Sequence, residues 1–317
     1  LAVLLLIHLD NSAALAAHKG SPAAVSTTPR ILHFPKDTSL GTLGFNTCDG
    51  IQSSPGMLSA KGTVKLNVPS GCVVSLEVFG KVFQNPSLLD TIRNENIESL
   101  DVRFMAIDDS EVGTTDRLLV RVPQMRNLEQ LHADRSDATD KGFSSIKNMQ
   151  KLRVLTMFNS EVRGACFKEF STCPNLIRIE SWNCPLDQTN LKYLSALKHL
   201  QSLDIRNDGV TDAGIKLIAN CSSLQNLSAG NNPIDDRCIP DLRKLENLKD
   251  LDLKGTKVTM SGIKLMKGLH LRSLVVPDSI RPTNDPEIVK LMPGVTIVRA
   301  KQTPVSPDDM RLFAPLH

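Results

Sequence analysis

Among the residues that could do covalent or metal chemistry in this chain, the carboxylates offer two close or column-matched pairs. Asp235 and Asp236 are adjacent, and Asp204 and Asp252 occupy equivalent positions in the matching stretches Leu203-Asp204-Ile205 and Leu251-Asp252-Leu253. Paired carboxylates can divide acid and base roles or hold a hard cation between them. Here a simpler use fits each pair: helix capping for Asp235 and Asp236, and solvated strand positions for Asp204 and Asp252. The seven histidines form no cluster with metal-ligand spacing. No H-E-x-x-H pair, glycine-rich phosphate loop, G-x-S-x-G elbow or C-x-x-C pair occurs. The expectation is a chain with no catalytic residues, no metal and no cofactor. An enzyme with its site near the N-terminus would rest on His33, Asp37 and Asp49, too few to compose one.

Aromatic and basic residues point instead to noncovalent recognition. Phe158, Trp182 and Arg206 are evenly spaced, and Trp182 is the only tryptophan. They belong to a column that runs Arg103, Asp134, Phe158, Trp182, Arg206, Gly230, Lys254 and Pro277. Its neighbour runs Phe104, Arg135, Asn159, Asn183, Asn207, Asn231, Gly255 and Asp278. Exposed Trp and Arg carry much of the binding energy at protein interfaces. Two uses of Phe158 and Trp182 remain open: contact with a partner, or packing on each other and on arginine stems. The asparagines likewise either contact a ligand or hydrogen-bond along the turn that leaves each strand.

The elements that align these columns come from a repeat. Leu128, Leu152, Leu176, Leu200, Leu224, Leu248 and Leu271 recur every ~24 residues, a fixed period of the kind that marks stacked units. Leu131, Leu155, Ile179, Leu203, Leu227, Leu251 and Leu274 follow three positions later. Alternation at Leu203 and Ile205 predicts a strand with one buried face. Ile215, Ile218 and Cys221, or Phe143, Ile146 and Met149, fall at helical spacing. Asp140, Asp212 and Asp236 stand where those helices begin, where a carboxylate can accept the unpaired N–H groups of the first turn. Ile97 and Leu100 start an earlier unit, separated from Leu128 by an insertion of about seven residues. Val73, Leu76 and Val78 mark a diverged first unit, and Val295 and Val298 a truncated last strand.

Leu200-Gln201-Ser202-Leu203-Asp204-Ile205-Arg206-Asn207-Asp208-Gly209-Val210, followed by Thr211-Asp212-Ala213-Gly214-Ile215, resembles the leucine-rich repeat family. The match is to its short V-T-D-x-G-(L/I) bacterial type, and it is also similar to the cysteine-containing repeats of F-box proteins. The resemblance implies an α/β solenoid, with a curved parallel sheet on the concave side and helices on the convex side. It also implies a broad role in recognition.

Cys166 and Cys238 share the column of Gly142, Gly214 and Gly262, so they read as small buried residues. Cys173 and Cys221 share the apolar column of Met149, and Cys184 the column of Ser136 and Ser160. Matched cysteines lie too many strands apart to bridge. Cys48 with Cys72 is the one candidate disulfide.

The segment Leu1–Ile7, followed by Ala14-x-Ala16, looks like a secretory signal peptide and is too short to span a bilayer. The expected organisation is a signal peptide over 1–16 and a flanking region with a β-rich cap over 17–72. The solenoid follows over 73–300 and a tail over 301–317. With a net charge of +3 and mixed charges along the predicted helices, no basic stripe for nucleic acid appears. The combined expectation is an exported or periplasmic monomer. It binds a protein or peptide through Trp182, Phe158, Arg206 and Arg178, with Arg103, Phe104, His132, Arg135, Asn159 and Asn183 around them. A cytoplasmic substrate-receptor subunit of F-box type is the alternative, although residues 17–72 lack a helical pattern.

Overall fold

Each L-x-x-L segment becomes a short strand because its second leucine points inward while the two flanking residues point out. The computed structural model describes residues 27–48, 58–103 and 113–299. Phe104, the segment 1–16 and the tail 301–317 lie outside them. Within them the chain runs through β1 (Thr27–His33), β2 (Gly41–Thr47), β3 (Leu58–Ser59), β4 (Thr63–Pro69) and β5 (Cys72–Val78). Then follow β6 (Ser99–Asp101), β7 (Gln130–His132), β8 (Val154–Thr156), β9 (Arg178–Glu180) and β10 (Ser202–Asp204). The last are β11 (Asn226–Ser228), β12 (Asp250–Asp252), β13 (Ser273–Val275) and β14 (Thr296–Val298). From β5 to β14 each strand pairs in parallel with the next in sequence. Leu100, Leu131, Leu155, Ile179, Leu203, Leu227, Leu251 and Leu274 stand in one register row and are buried. The fold is a leucine-rich repeat solenoid of the α/β class.

The return segments are shorter than their apolar spacing predicts. Asp140–Phe143 and Phe167–Phe170 are single α-turns, Asp212–Ile218 reaches seven residues, and Gln188–Ala196 winds as a 3-10 helix. A short unit leaves too few residues to sustain a helix on propensity alone. Core burial of Phe143, Phe167, Phe170, Ile215 and Ile218 holds these turns instead.

At the N-terminal end, β2 pairs antiparallel with β5, and β3 with β2, so the outer edge of the first parallel strand is covered. β1 and β4 form a separate antiparallel pair. Arg30 ties it to Glu98, and the His33 backbone N–H donates to Glu95 at 3.1 Å. The register sets Thr47 opposite Cys72, while the Cys48 N–H donates to the Gly71 carbonyl at 3.2 Å. Successive strand positions face opposite sides, so the candidate Cys48–Cys72 bridge does not form. None of the seven cysteines is in a disulfide.

The helix-start carboxylates need a correction. Capping falls mainly to the residue before them: Thr139 accepts from the Lys141 N–H at 3.1 Å, Asp235 from Arg237 at 2.9 Å and Thr259 from Ser261 at 3.1 Å. Asp140, Asp212 and Asp236 reach forward into the next unit, as does Asp116. Asp116 accepts the Thr139 N–H at 2.8 Å and its hydroxyl at 2.7 Å. Asp140 accepts the N–H groups of Arg163 and Cys166, both at 3.0 Å. Asp212 accepts the Asp235 N–H at 3.0 Å, and Asp236 takes both the N–H and the hydroxyl of Thr259 at 2.7 and 2.6 Å.

The same oxygens explain the small-residue column. A Cβ added to Gly142 would sit 2.3 Å from the Asp116 Oδ1, and one on Gly262 2.2 Å from the Asp236 Oδ1. Gln188 does the same ahead of Gly214, accepting the Thr211 N–H at 3.1 Å. Where Gly164 replaces the acid, Asn190 fills the small position and donates to the Arg163 carbonyl at 3.0 Å.

Candidate functional site

The turn leaving each strand decides what the sheet displays. Arg135, Asn159, Asn183, Asn207 and Asn231 have φ of 51, 52, 60, 57 and 56°. Asparagine tolerates this left-handed region better than most residues with a Cβ. Backbone bonds continue the ladder through the turn: Arg135 N–H to Phe158 carbonyl at 2.7 Å, Asn159 to Trp182 at 3.2 Å and Asn183 to Arg206 at 2.8 Å. The Asn183 amide donates to the side-chain oxygen of Asn159, and Asn207 donates to Asn183 at 2.5 Å. These side-chain bonds run from turn to turn across neighbouring units.

One position earlier, that turn aligns the aromatic column. The Phe158 and Trp182 rings stack with centroids 4.4 Å apart and planes 12° from parallel. Arg135 covers the outer face of the pair at 5.9 Å from the Phe158 centroid, and Arg206 lies 5.6 Å from that of Trp182. Four side chains from consecutive units thus form one layered row of guanidinium, ring, ring and guanidinium. With their faces taken, the half-buried rings turn their edges to solvent. Stacking of this kind adds about 0.5–1.5 kcal/mol beyond area burial, and each guanidinium–ring contact about 0.5–1 kcal/mol at an exposed site. The row is therefore held in place by contacts within the chain itself.

Ion pairs fix the surrounding charges. Arg206 grips Asp204 through its Nε at 2.9 Å, and Arg103 grips Asp101 at 2.8 Å while lying 3.9 Å from Glu77. Arg178 takes no place in the stack; its nearest carboxylate oxygen is 3.8 Å away on Glu180. Burial, with Asp204 close by, pushes the Glu180 carboxyl above its usual range. Asp204 and Asp252 do not frame a cation site: Asp204 is taken by Arg206, and Asp252 accepts the Lys254 N–H at 2.8 Å. Among the described residues no group of three or more potential ligands is placed to hold a metal.

His132 and Asp134 compose a feature that the sequence columns did not show. The Thr156 hydroxyl donates to Asp134 at 2.8 Å and lies 3.1 Å from the His132 Nδ1. The Phe158 N–H also donates to Asp134, at 3.1 Å. Burial holds the Asp134 carboxyl well above its ordinary range and depresses the His132 imidazole. His132 Nε2 is buried without a hydrogen-bond partner among the described residues. Asp134 shares its column with the half-buried Phe158, Trp182 and Arg206, so only the hydrogen bonds from the next unit's Thr156 and Phe158 reveal it as a support beneath the stack.

The structure thus brings Arg135, Phe158, Trp182 and Arg206 into one row, with His132 beside its base. Arg178 and Arg103 sit toward the flanks, and Asn159 and Asn183 are engaged with each other.

No protein-family model matches the chain, and no curated protein matches it in sequence. Among solved structures it is similar to an internalin (inlF) of Listeria monocytogenes at 16% identity, over 71% of this chain and 74% of that one, with a TM-score of 0.42. It is likewise similar to internalin C2 of the same organism at 17% identity, over 68% and 83% of the two chains, with a TM-score of 0.44. The solenoid assignment rests on the strand ladder itself.

Proposed function

We propose that this chain is a non-enzymatic recognition scaffold that binds a protein or peptide partner on the sheet face turned away from its helices. The observation that carries this is the layered row of Arg135, Phe158, Trp182 and Arg206, preorganised by ring stacking and by the Arg206–Asp204 pair. Preorganised aromatic and arginine side chains bind with little ordering cost, which is how a few residues come to dominate an interface. An extracellular setting belongs to the same proposal and rests on the apolar run and Ala14-x-Ala16 of the sequence.

The test is affinity capture from the source organism's own extracellular proteins, with wild type and Trp182→Ala compared side by side. Loss of an interface centre costs about 2 kcal/mol or more, roughly a thirtyfold drop in affinity. Capture that survives in a folded Trp182→Ala protein would remove the row from the binding site.

A further inference from the structure

Away from the aromatic row, where the chain enters β6 and β7 instead of leaving the strands, lies a solvent-open depression of about 550 Å³ lined by Arg93, Asn94, Pro123, Gln124 and Arg126. Arg93 ends the 3-10 helix Pro86–Ile92, and Arg126 follows the 3-10 helix Val122–Gln124, so consecutive units each supply one arginine.

The charges around it are arranged unequally. Nearby carboxylates already have partners: Asp90 takes Arg121 at 3.0 Å, Glu95 the His33 N–H at 3.1 Å, Glu98 takes Arg30, and Arg153 lies 3.8 Å from Glu129. Arg93 and Arg126 have no carboxylate within ion-pair distance among the described residues, and none lines the depression. Two unpaired guanidiniums present ten N–H donors and no acceptor, about five apiece. Their planar forks match tetrahedral and carboxylate oxyanions in pairs of hydrogen bonds. The Asn94 and Gln124 carboxamides both donate and accept, which suits hydroxyl groups beside the anion.

We propose that this depression binds an oxyanion ester, a phosphate or sulfate carried on a hydroxylated ligand. Arg93 and Arg126 hold the oxyanion, and Asn94 and Gln124 the hydroxyls. The site is independent of the partner-binding face.

Titration calorimetry on the full chain tests it with glucose phosphate, glucose sulfate and unmodified glucose. At least one ester binds, glucose does not, and added salt weakens the interaction. Comparing the two esters decides which anion the site prefers. Each of Arg93→Gln and Arg126→Gln lowers affinity severalfold, and the double variant lowers it by at least about tenfold. Both side chains are exposed, and an unchanged urea transition followed by Trp182 fluorescence confirms that the variants fold. Absence of ester binding to wild type, binding equal to that of glucose, or full affinity in the folded double variant would each overturn the assignment.

Discussion

Asn183 is the place to test how much of the sheet's outer face is scaffold. Its amide donates to Asn159, it accepts from Asn207, and its own backbone sits at φ 60°. Replacement by alanine removes two hydrogen bonds, each worth about 1 kcal/mol net. It also leaves a Cβ in the left-handed region without the local amide that makes asparagine tolerable, a further cost of about 1 kcal/mol. Asn183→Ala should therefore lose about 3 kcal/mol. Asn183→Gly loses the same bonds without the strain. Its greater freedom when unfolded takes back about half of that strain, so it should stand about 0.5 kcal/mol above the alanine variant. Urea unfolding followed by Trp182 fluorescence reads both, since the reporter is the adjacent residue and the chain has only one tryptophan. An alanine variant within about 0.5 kcal/mol of wild type, the size of an ordinary surface change, would refute the ladder. So would reversal of the glycine–alanine order.

Asp236→Ala strips an acceptor from two donors of Thr259 and should cost about 1–3 kcal/mol, with faster amide exchange at Thr259 than at Thr211; equal exchange would count against a forward-reaching carboxylate. Burial keeps the Asp134 and Asp208 carboxyls well above their usual range. The folded protein therefore retains protons that the unfolded chain releases above about pH 4. The stability these groups contribute is full below that pH and declines as pH rises through their folded values. Asp134→Asn with Asp208→Asn should flatten that decline in thermal melts, and a profile parallel to wild type would contradict it. His132 works in the opposite sense: burial depresses it, so its share is kept above about pH 6.5 and lost on acidification. His132→Gln should accordingly lessen the fall in melting temperature below that pH. Burial raises the thiols of Cys184, Cys221 and Cys238 to about 12. Iodoacetamide at mildly alkaline pH should leave these three unmodified in the native protein and alkylate them in urea; native labelling detected by peptide mass would refute their burial.

The parts of this molecule legible in its sequence are those where one residue type has one job. A leucine that returns at the same place in every unit can only face inward, so Leu131, Leu155 and Ile179 fixed the register and placed Phe158 beside Trp182. Residues with two possible partners were less legible. Asp140 stands at a helix start, and nothing local distinguishes a carboxylate that caps its own turn from one that reaches Arg163 and Cys166. Whether a return segment becomes α or 3-10, as over Gln188–Ala196, is settled by packing against neighbours instead of by its own composition. The burial of Asp134 was not legible, because the groups that cover it, Thr156 and Phe158, come from the following unit. Arg93 and Arg126 lie in turns where the insertion shifts the repeat, so no column brings them together.

The matching of Asp116 with Gly142, Asp140 with Cys166, Gly164 with Asn190 and Gln188 with Gly214 limits how the molecule could be shortened. Excision of residues 212–235 would seat Gln188 against Cys238, a tenant small enough to share the gap. Excision of residues 164–187, an equal length, would drive Asn190 into space already claimed by Asp140. The modules look alike along the leucine seam, yet along this other seam each is cut to fit one predecessor.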